Sequence, residues 1–169
     1  NGEGVMINKS EAARYYKMAA DKGNSFAMYN YAKMLQNGEG VMINKSEATR
    51  YYKMAADKGD SFAMKSYALM LQNGDGVMIN KSEAARYYKM AADKGNAVAM
   101  KSYAKMLQDG EGVMVNKAEA SRYFRMAFDH FKIEADKGSA FAMINYAFML
   151  QNGEGVMINK SEAARYYKM

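Results

Sequence analysis

The sequence predicts an all-α protein built as an α/α solenoid of stacked antiparallel helix pairs. Its opening stretch, NGEGVMINKSEAARYYKMAADKG, returns almost unchanged from Asn37, Asn73, Asp109 and Asn152, which gives a 36-residue period with one 43-residue unit. Apolar residues recur at helical spacing inside each copy. The 14 glycines, with no proline, separate the helical segments. A unit of this size buries its apolar face only by stacking on its neighbours.

The first helix of a unit, helix A, is predicted over residues 25–36, with Asn24 or Ser25 as its N-cap. The loop at residues 37–41 ends this helix, because its two glycines can adopt a positive φ. A wide apolar arc, which we expect to pack on two neighbours, is formed by Ala27, Met28, Tyr31, Ala32, Met34 and Leu35.

The second helix, helix B, is predicted to follow Asn44. The side chain of Asn44 caps the first turn, and Glu47 reaches back to the cap in a capping box. The same Asn-x-x-Glu spacing recurs in every copy. We expect Gly59 to be the C-cap. The alanines let a neighbouring helix approach while tyrosine rings fill the remaining volume, and this packing stripe consists of Ala48, Tyr51, Tyr52, Ala55 and Ala56.

One pattern recurs in register through the copies: Tyr31-Ala32-x-x-Leu35-x-x-Gly38-x-Gly40-Val41-x-x-Asn44-x-x-Glu47-Ala48-x-x-Tyr51-Tyr52-x-x-Ala55-Ala56-x-x-Gly59. It resembles the Sel-one-like repeat family, relatives of the tetratricopeptide repeats, over essentially the whole chain. The resemblance implies a right-handed solenoid whose A helices line the concave face, and adaptor work in assembling protein complexes. The family's usual leucine–glycine pair is Tyr31-Ala32 here, its usual tyrosine is Leu35, and its frequent proline is Met42. Alanine in place of glycine is expected to push the crossing helices slightly apart, which affects fine curvature and not the fold.

The array is predicted to be a single domain over residues 1–169. No capping repeat with a polar outer face is visible at either end, so we expect a segment of a longer array, with end-to-end contacts through the uncapped terminal helices. After a partial leading unit at 1–23, the helix pairs are expected at about 24–59, 60–95, 96–138 and 139–169.

Catalysis is disfavoured by the residues available. The chain has one histidine, His130, and no cysteine, so neither a catalytic triad nor a thiolate metal site can be assembled. We therefore expect no enzyme activity, no cofactor and no metal. Neither a membrane-length apolar run nor a secretion leader is visible, and only Tyr29 stands as an aromatic among lysines, so we expect a cytoplasmic protein that binds neither membrane nor nucleic acid.

The copies differ from one another at two helix A positions, i and i+4, which share one helix face. We predict that this stripe, mixed at first, basic in the middle and apolar at the end, binds an acidic protein or peptide. The alternative is that packing simply leaves these positions unconstrained. The four pairs are Tyr29/Lys33, Lys65/Leu69, Lys101/Lys105 and Ile144/Phe148.

Seven extra residues, 128–134, lengthen helix B of the fourth unit. Seven residues make almost two turns, so a helix from Asn116 to Lys137, about 33 Å long, keeps its phase. Phe128 and Phe131 then either cover the edge of the next unit or form a ridge for a partner. His130 is expected to be a surface residue.

The function predicted from these features is a non-catalytic protein–protein interaction scaffold or adaptor, whose ligand binds the concave helix A face. Tyr29, Ile144 and Phe148 would be the anchors, and the lysines would attract an acidic ligand. Two alternatives stay open. One is a structural component that lines an acidic polymer, such as a cytoskeletal filament, through the net charge of +6. The other is the regulatory repeat region of a larger enzyme.

Overall fold

The computed structural model describes residues 8–168, and within this range every regular element is a helix. The all-α prediction is confirmed. Most of the helices have 13 residues, whereas the helix that carries the insertion has 20. In chain order the helices are α1 (Lys9–Asp21), α2 (Ser25–Asn37), α3 (Lys45–Asp57), α4 (Ser61–Asn73), α5 (Lys81–Asp93), α6 (Ala97–Asp109), α7 (Lys117–Asp136), α8 (Ala140–Asn152) and α9 (Lys160–Tyr166).

The predicted alternation of two helix types is present: α2, α4, α6 and α8 are A helices, and the odd-numbered elements are B helices. The chain divides into two compact units, Asn1–Tyr87 and Tyr88–Met169. In the first unit, α1 to α4 pack in chain order, each against the next. In the second unit, α6 to α9 do the same.

Side chains cap the helices as predicted, with one correction. Asn24 Oδ1 accepts a bond from the Ala27 amide at 2.8 Å, and Asn44 Oδ1 accepts one from Glu47 at 3.0 Å. Glu47, however, bonds the Asn44 side-chain amide at 3.3 Å and not its backbone N–H. That N–H already donates to the Leu35 carbonyl at 2.9 Å, so the loop's return to helix A takes the donor that a capping box would use.

Both helix ends are close to their predicted positions. Helix A ends at Asn37, and Gly38 follows in the left-handed region at φ 72°. Helix B ends at Asp57 with Lys58 as its C-cap, so that the left-handed Gly59, at φ 95°, comes one residue after the cap.

The predicted core stripes are buried. The whole helix A arc and the whole helix B stripe of the first repeat pair are buried, each residue being at most 9% exposed. Tyr31 and Tyr51 meet edge to face at 5.0 Å, and Tyr67 and Tyr87 do so at 4.8 Å. Successive B helices are also joined by hydrogen bonds, since the Tyr87 hydroxyl donates to Asp57 at 2.9 Å.

In the first unit, the second glycine of the loop packs on the start of the preceding B helix. Gly40 has φ 72°, and a Cβ there would overlap the Lys9 carbonyl and lie 2.5 Å from the Ser10 nitrogen. Beside this contact, Lys9 Nζ bonds Glu39 at 3.1 Å. The next step in the first unit repeats the arrangement with Gly76 against Lys45 and Ser46, and with Lys45 bonded to Asp75 at 2.6 Å.

The insertion lengthens α7 without interrupting it. Phe128 stacks on Tyr146 with centroids 4.8 Å apart, and Phe131 meets Phe141 at 6.2 Å. Both inserted rings are buried, at 6% and 3% exposure, so the alternative in which they form a ridge for a partner is wrong. They pack on α8 because burying each ring stabilises the fold by about 1.5–3 kcal/mol. His130 is exposed, as predicted.

Replacing the seated glycine tests this packing. We expect Gly76→Ala, at φ +69°, to destabilise the protein by about 2–5 kcal/mol, through left-handed backbone strain and overlap with α3. Gly95→Ala is the matched control, because its φ is +88° but nothing lies within 4 Å of the new methyl group. It should cost only about 1–2 kcal/mol. Urea unfolding followed by circular dichroism measures both, and equal losses would contradict the seating.

Candidate interaction face

The eight predicted binding positions all lie outside the buried arcs of their A helices. Three of them, Tyr29, Lys65 and Lys101, are half-buried. The remaining five are exposed: Lys33, Leu69, Lys105, Ile144 and Phe148. Within each unit these positions are therefore at least partly accessible to solvent.

In the first unit, the structure brings an aromatic and a basic group together. The Tyr29 ring lies 6.2 Å from the Phe62 ring of α4, and Lys33 Nζ lies 5.7 Å from the Tyr29 centroid. Burial lowers the pKa of Lys65, and the charge of Lys33 lowers it further. These lysines gain from a nearby anion, because each is close to another positive charge or to an apolar ring.

In the second unit, Lys101 contacts two residues of α8. Its Nζ lies 4.8 Å from the Phe148 centroid and donates to Asn145 Oδ1 at 3.1 Å. Burial lowers the pKa of Lys101, with Lys105 adding to this effect and Glu154 opposing it. Ile144 stays exposed on the same helix as Phe148.

The A helices carry a second set of exposed aromatic residues, which the differences between copies do not reveal. This position stays apolar in every copy and changes only once, to Val98, whereas the prediction used the positions that differ most. One signal could have found them: each ring comes directly before the buried alanine that begins the arc, and is therefore turned away from the core. The three are Phe26, Phe62 and Phe141, and they are 59–63% exposed.

The loops also carry exposed apolar residues that the pattern did not reveal. The methionine after each glycine-valine pair is 86–91% exposed at Met42, Met78, Met114 and Met157. Within residues 8–168, no helix is long and apolar enough to cross a bilayer, and no three acidic or histidine side chains are grouped to hold a metal ion.

Antiparallel helix pairs in sequence order, joined by glycine loops, define the class of α/α solenoid repeat proteins. The Sel1 repeat matches residues 1–24, 25–60, 61–96, 97–130 and 140–169, which is almost the whole chain. The protein belongs to the Sel1 repeat family. Sel1 repeat proteins generally mediate protein–protein interactions. No curated protein sequence matches the chain.

Solved structures show the same fold. A protective antigen of uropathogenic Escherichia coli strains, which displays an SLR fold, is 28% identical with a TM-score of 0.73, over 99% of this chain and 34% of that one. A Sel1 repeat protein from Oxalobacter formigenes is 29% identical with a TM-score of 0.74, over 99% and 65%. The present chain therefore spans about a third of the first relative and 65% of the second. Cysteine rich protein B of Helicobacter pylori shares the fold. It is 22% identical with a TM-score of 0.57, over 75% of this chain and 91% of that one.

A half-buried lysine costs stability, and its removal tests the electrostatics of this face. We expect Lys65→Met to raise the melting temperature at pH 7 by about 2 °C, because the aliphatic stem is kept and the desolvated charge is lost. Lys105→Met, at an exposed position, should leave it unchanged.

The pH dependence of the melting-temperature gain from Lys65→Met shows whether the gain comes from loss of the lysine charge. Since the folded-state pKa of Lys65 is below its unfolded value, the penalty is fully present below the folded pKa and is lost only as the pH rises through the unfolded value. The gain from Lys65→Met should therefore vanish in calorimetric scans above pH 10.5, the unfolded value. A gain that is constant with pH would contradict a charge effect.

Proposed function

We propose that the protein is a non-catalytic scaffold that binds a protein or peptide on the face presented by its A helices, the concave face in the solenoid expected from the family. One observation carries the proposal: exposed apolar side chains stand beside half-buried lysines on these helices. Phe62 is 59% exposed one turn from Lys65, and Phe148 is 43% exposed against Lys101. Exposed apolar groups next to polar ones are typical of interaction sites.

Each unit presents its own set of candidate contacts. The first presents Tyr29 and Phe62 beside Lys65, and the second presents Phe148 beside Lys101. Rings held by helices lose little conformational freedom on binding, so they are suited to act as anchors. The half-buried lysines favour an acidic group on the ligand, because pairing would compensate their desolvation. A cytoplasmic location stays a prediction from the sequence.

Peptides selected on the intact protein from a random display library are the probe for this proposal. We expect them to be rich in acidic and apolar residues. The triple variant Lys65→Glu, Lys101→Glu, Lys105→Glu should weaken their binding by at least about tenfold and slow their association at low salt, since the face changes sign. Surface plasmon resonance measures both quantities.

The control triple is Lys22→Glu, Lys58→Glu, Lys94→Glu, which changes the net charge equally at exposed positions that follow B helices. It should retain the affinity within about threefold. Equal binding by both triples would overturn the helix A assignment. Binding of polyglutamate that falls steeply with salt, and that survives Ile144→Ala and Phe148→Ala, would instead support the acidic-polymer alternative.

A further inference from the structure

The step from α7 to α8 differs from the steps of the first unit. There, the second loop glycine lies against the residues that open the preceding B helix, such as Lys9 and Ser10 for Gly40. In the second unit, a Cβ on Gly155 would lie 2.5 Å from the Phe124 carbonyl carbon and 2.6 Å from the Arg125 nitrogen. The residue that corresponds to Lys9 is Lys117, seven positions earlier. The loop has therefore slid along α7 by seven residues, about 10 Å.

Contacts between successive A helices show the same seven-residue shift independently. In the first unit, Tyr29 of α2 meets Phe62 of α4. In the second unit Lys101 occupies the position of Tyr29, yet it meets Phe148, which comes seven residues after Phe141, the counterpart of Phe62. Two separate contacts, on α6 and on α7, thus give one shift of seven residues.

The slide opens a cavity of about 330 Å³ over the first turns of α7. In the first unit, this part of helix B is covered by the following loop. The cavity has an apolar side formed by Ala120 and Phe124, and a polar side that includes Lys117, Ser121 and Glu154.

Glu154 loses its partner through this slide. Its counterparts Glu39 and Asp75 each bond the lysine that opens the preceding B helix, at 3.1 and 2.6 Å. At the shifted position Glu154 and Phe124 line the same cavity, and Glu154 Oε2 is buried without a hydrogen-bond partner among the described residues. Burial raises the pKa of Glu154, and the positive charges of Lys101 and Lys105 oppose only part of this rise. A buried acceptor without a donor costs stability.

We propose that this cavity binds a primary ammonium group, specifically a lysine side chain of a protein partner. The regular steps show that the loop acid accepts an alkylammonium at this position of the repeat. An entering lysine would place its stem on Phe124 and its ammonium on the Glu154 carboxylate that lines the cavity, completing the pair that the slide has broken. The site is a recognition element beyond the helix A face, and it rests on the proposed function only in that the partner is a protein.

The tripeptide N-acetyl-Gly-Lys-Gly-amide is the probe, because it carries one ammonium and cannot span the helix A face. In amide NMR spectra we expect it to shift Gly153, Gly155 and Ser121 with millimolar affinity, and the norleucine tripeptide to leave them unchanged. Glu154→Gln should abolish these shifts, whereas the matched Glu39→Gln should retain them, since Glu39 is already paired with Lys9. Equal shifts from both tripeptides, or shifts that survive Glu154→Gln, would overturn the proposal.

Melting temperatures help to distinguish an empty ammonium site from one that is already occupied by a lysine of the protein itself. Because the folded-state pKa of Glu154 is raised, its charge destabilises the fold at neutral pH, and Glu154→Gln should raise the melting temperature by about 2–4 °C. Glu39→Gln should not raise it. Should the wild type show no shifts while Lys117→Ala gains them, Lys117 fills the cavity in solution and the proposal fails. The helix A tests are unaffected by this outcome.

Discussion

The stack depends on the contact between the second loop glycine and the backbone of the preceding B helix. Gly40 and Gly76 combine a positive φ with no room for a Cβ, so two backbones meet where any side chain would force them apart. This contact sets where along helix B the next repeat sits. The alanines and tyrosine pairs of the core then pack at that position, and the inter-repeat bond of Tyr87 to Asp57 forms only when it is correct. The loop glycine is thus a register device as well as a turn.

Most of the fold could be predicted from the sequence, because the period, the apolar arcs and the capping asparagines are local features repeated several times. The hydrogen bond between Glu47 and the Asn44 side chain could not be predicted. It forms because the Asn44 backbone N–H donates instead to the Leu35 carbonyl, which is a tertiary contact. The candidate face was found only in part. Comparing copies found Lys65 and Phe148, but it could not find Phe62, which varies little and is revealed only by its exposure.

The insertion shows more clearly that local sequence patterns do not determine tertiary contacts. Helix geometry predicted that seven residues would preserve the phase of α7, and the bond of Tyr166 to Asp136, with the same 30-residue separation as that of Tyr87 to Asp57, agrees with this. Phase within one helix does not decide which part of that helix the next repeat contacts. An aromatic residue stands at both Phe124 and Phe131, seven apart, so two seatings of α8 are compatible with the pattern.

Energetics decides between these two seatings. If α8 packed at the start of α7, Phe128 and Phe131 would lie beyond the contact. About 3–6 kcal/mol of stabilisation from the burial of these two rings would then be lost. The slid seating loses one exposed ion pair, worth about 0–1 kcal/mol, and leaves the buried Glu154 oxygen without a donor, at about 1–3 kcal/mol. Burial of the two rings outweighs these losses, so the slide is the stable arrangement. Most of the destabilisation comes from one acceptor, the unpartnered Glu154 oxygen. A shift in packing can therefore give a repeat array a distinct site, built from residues that have only a structural role in the other repeats.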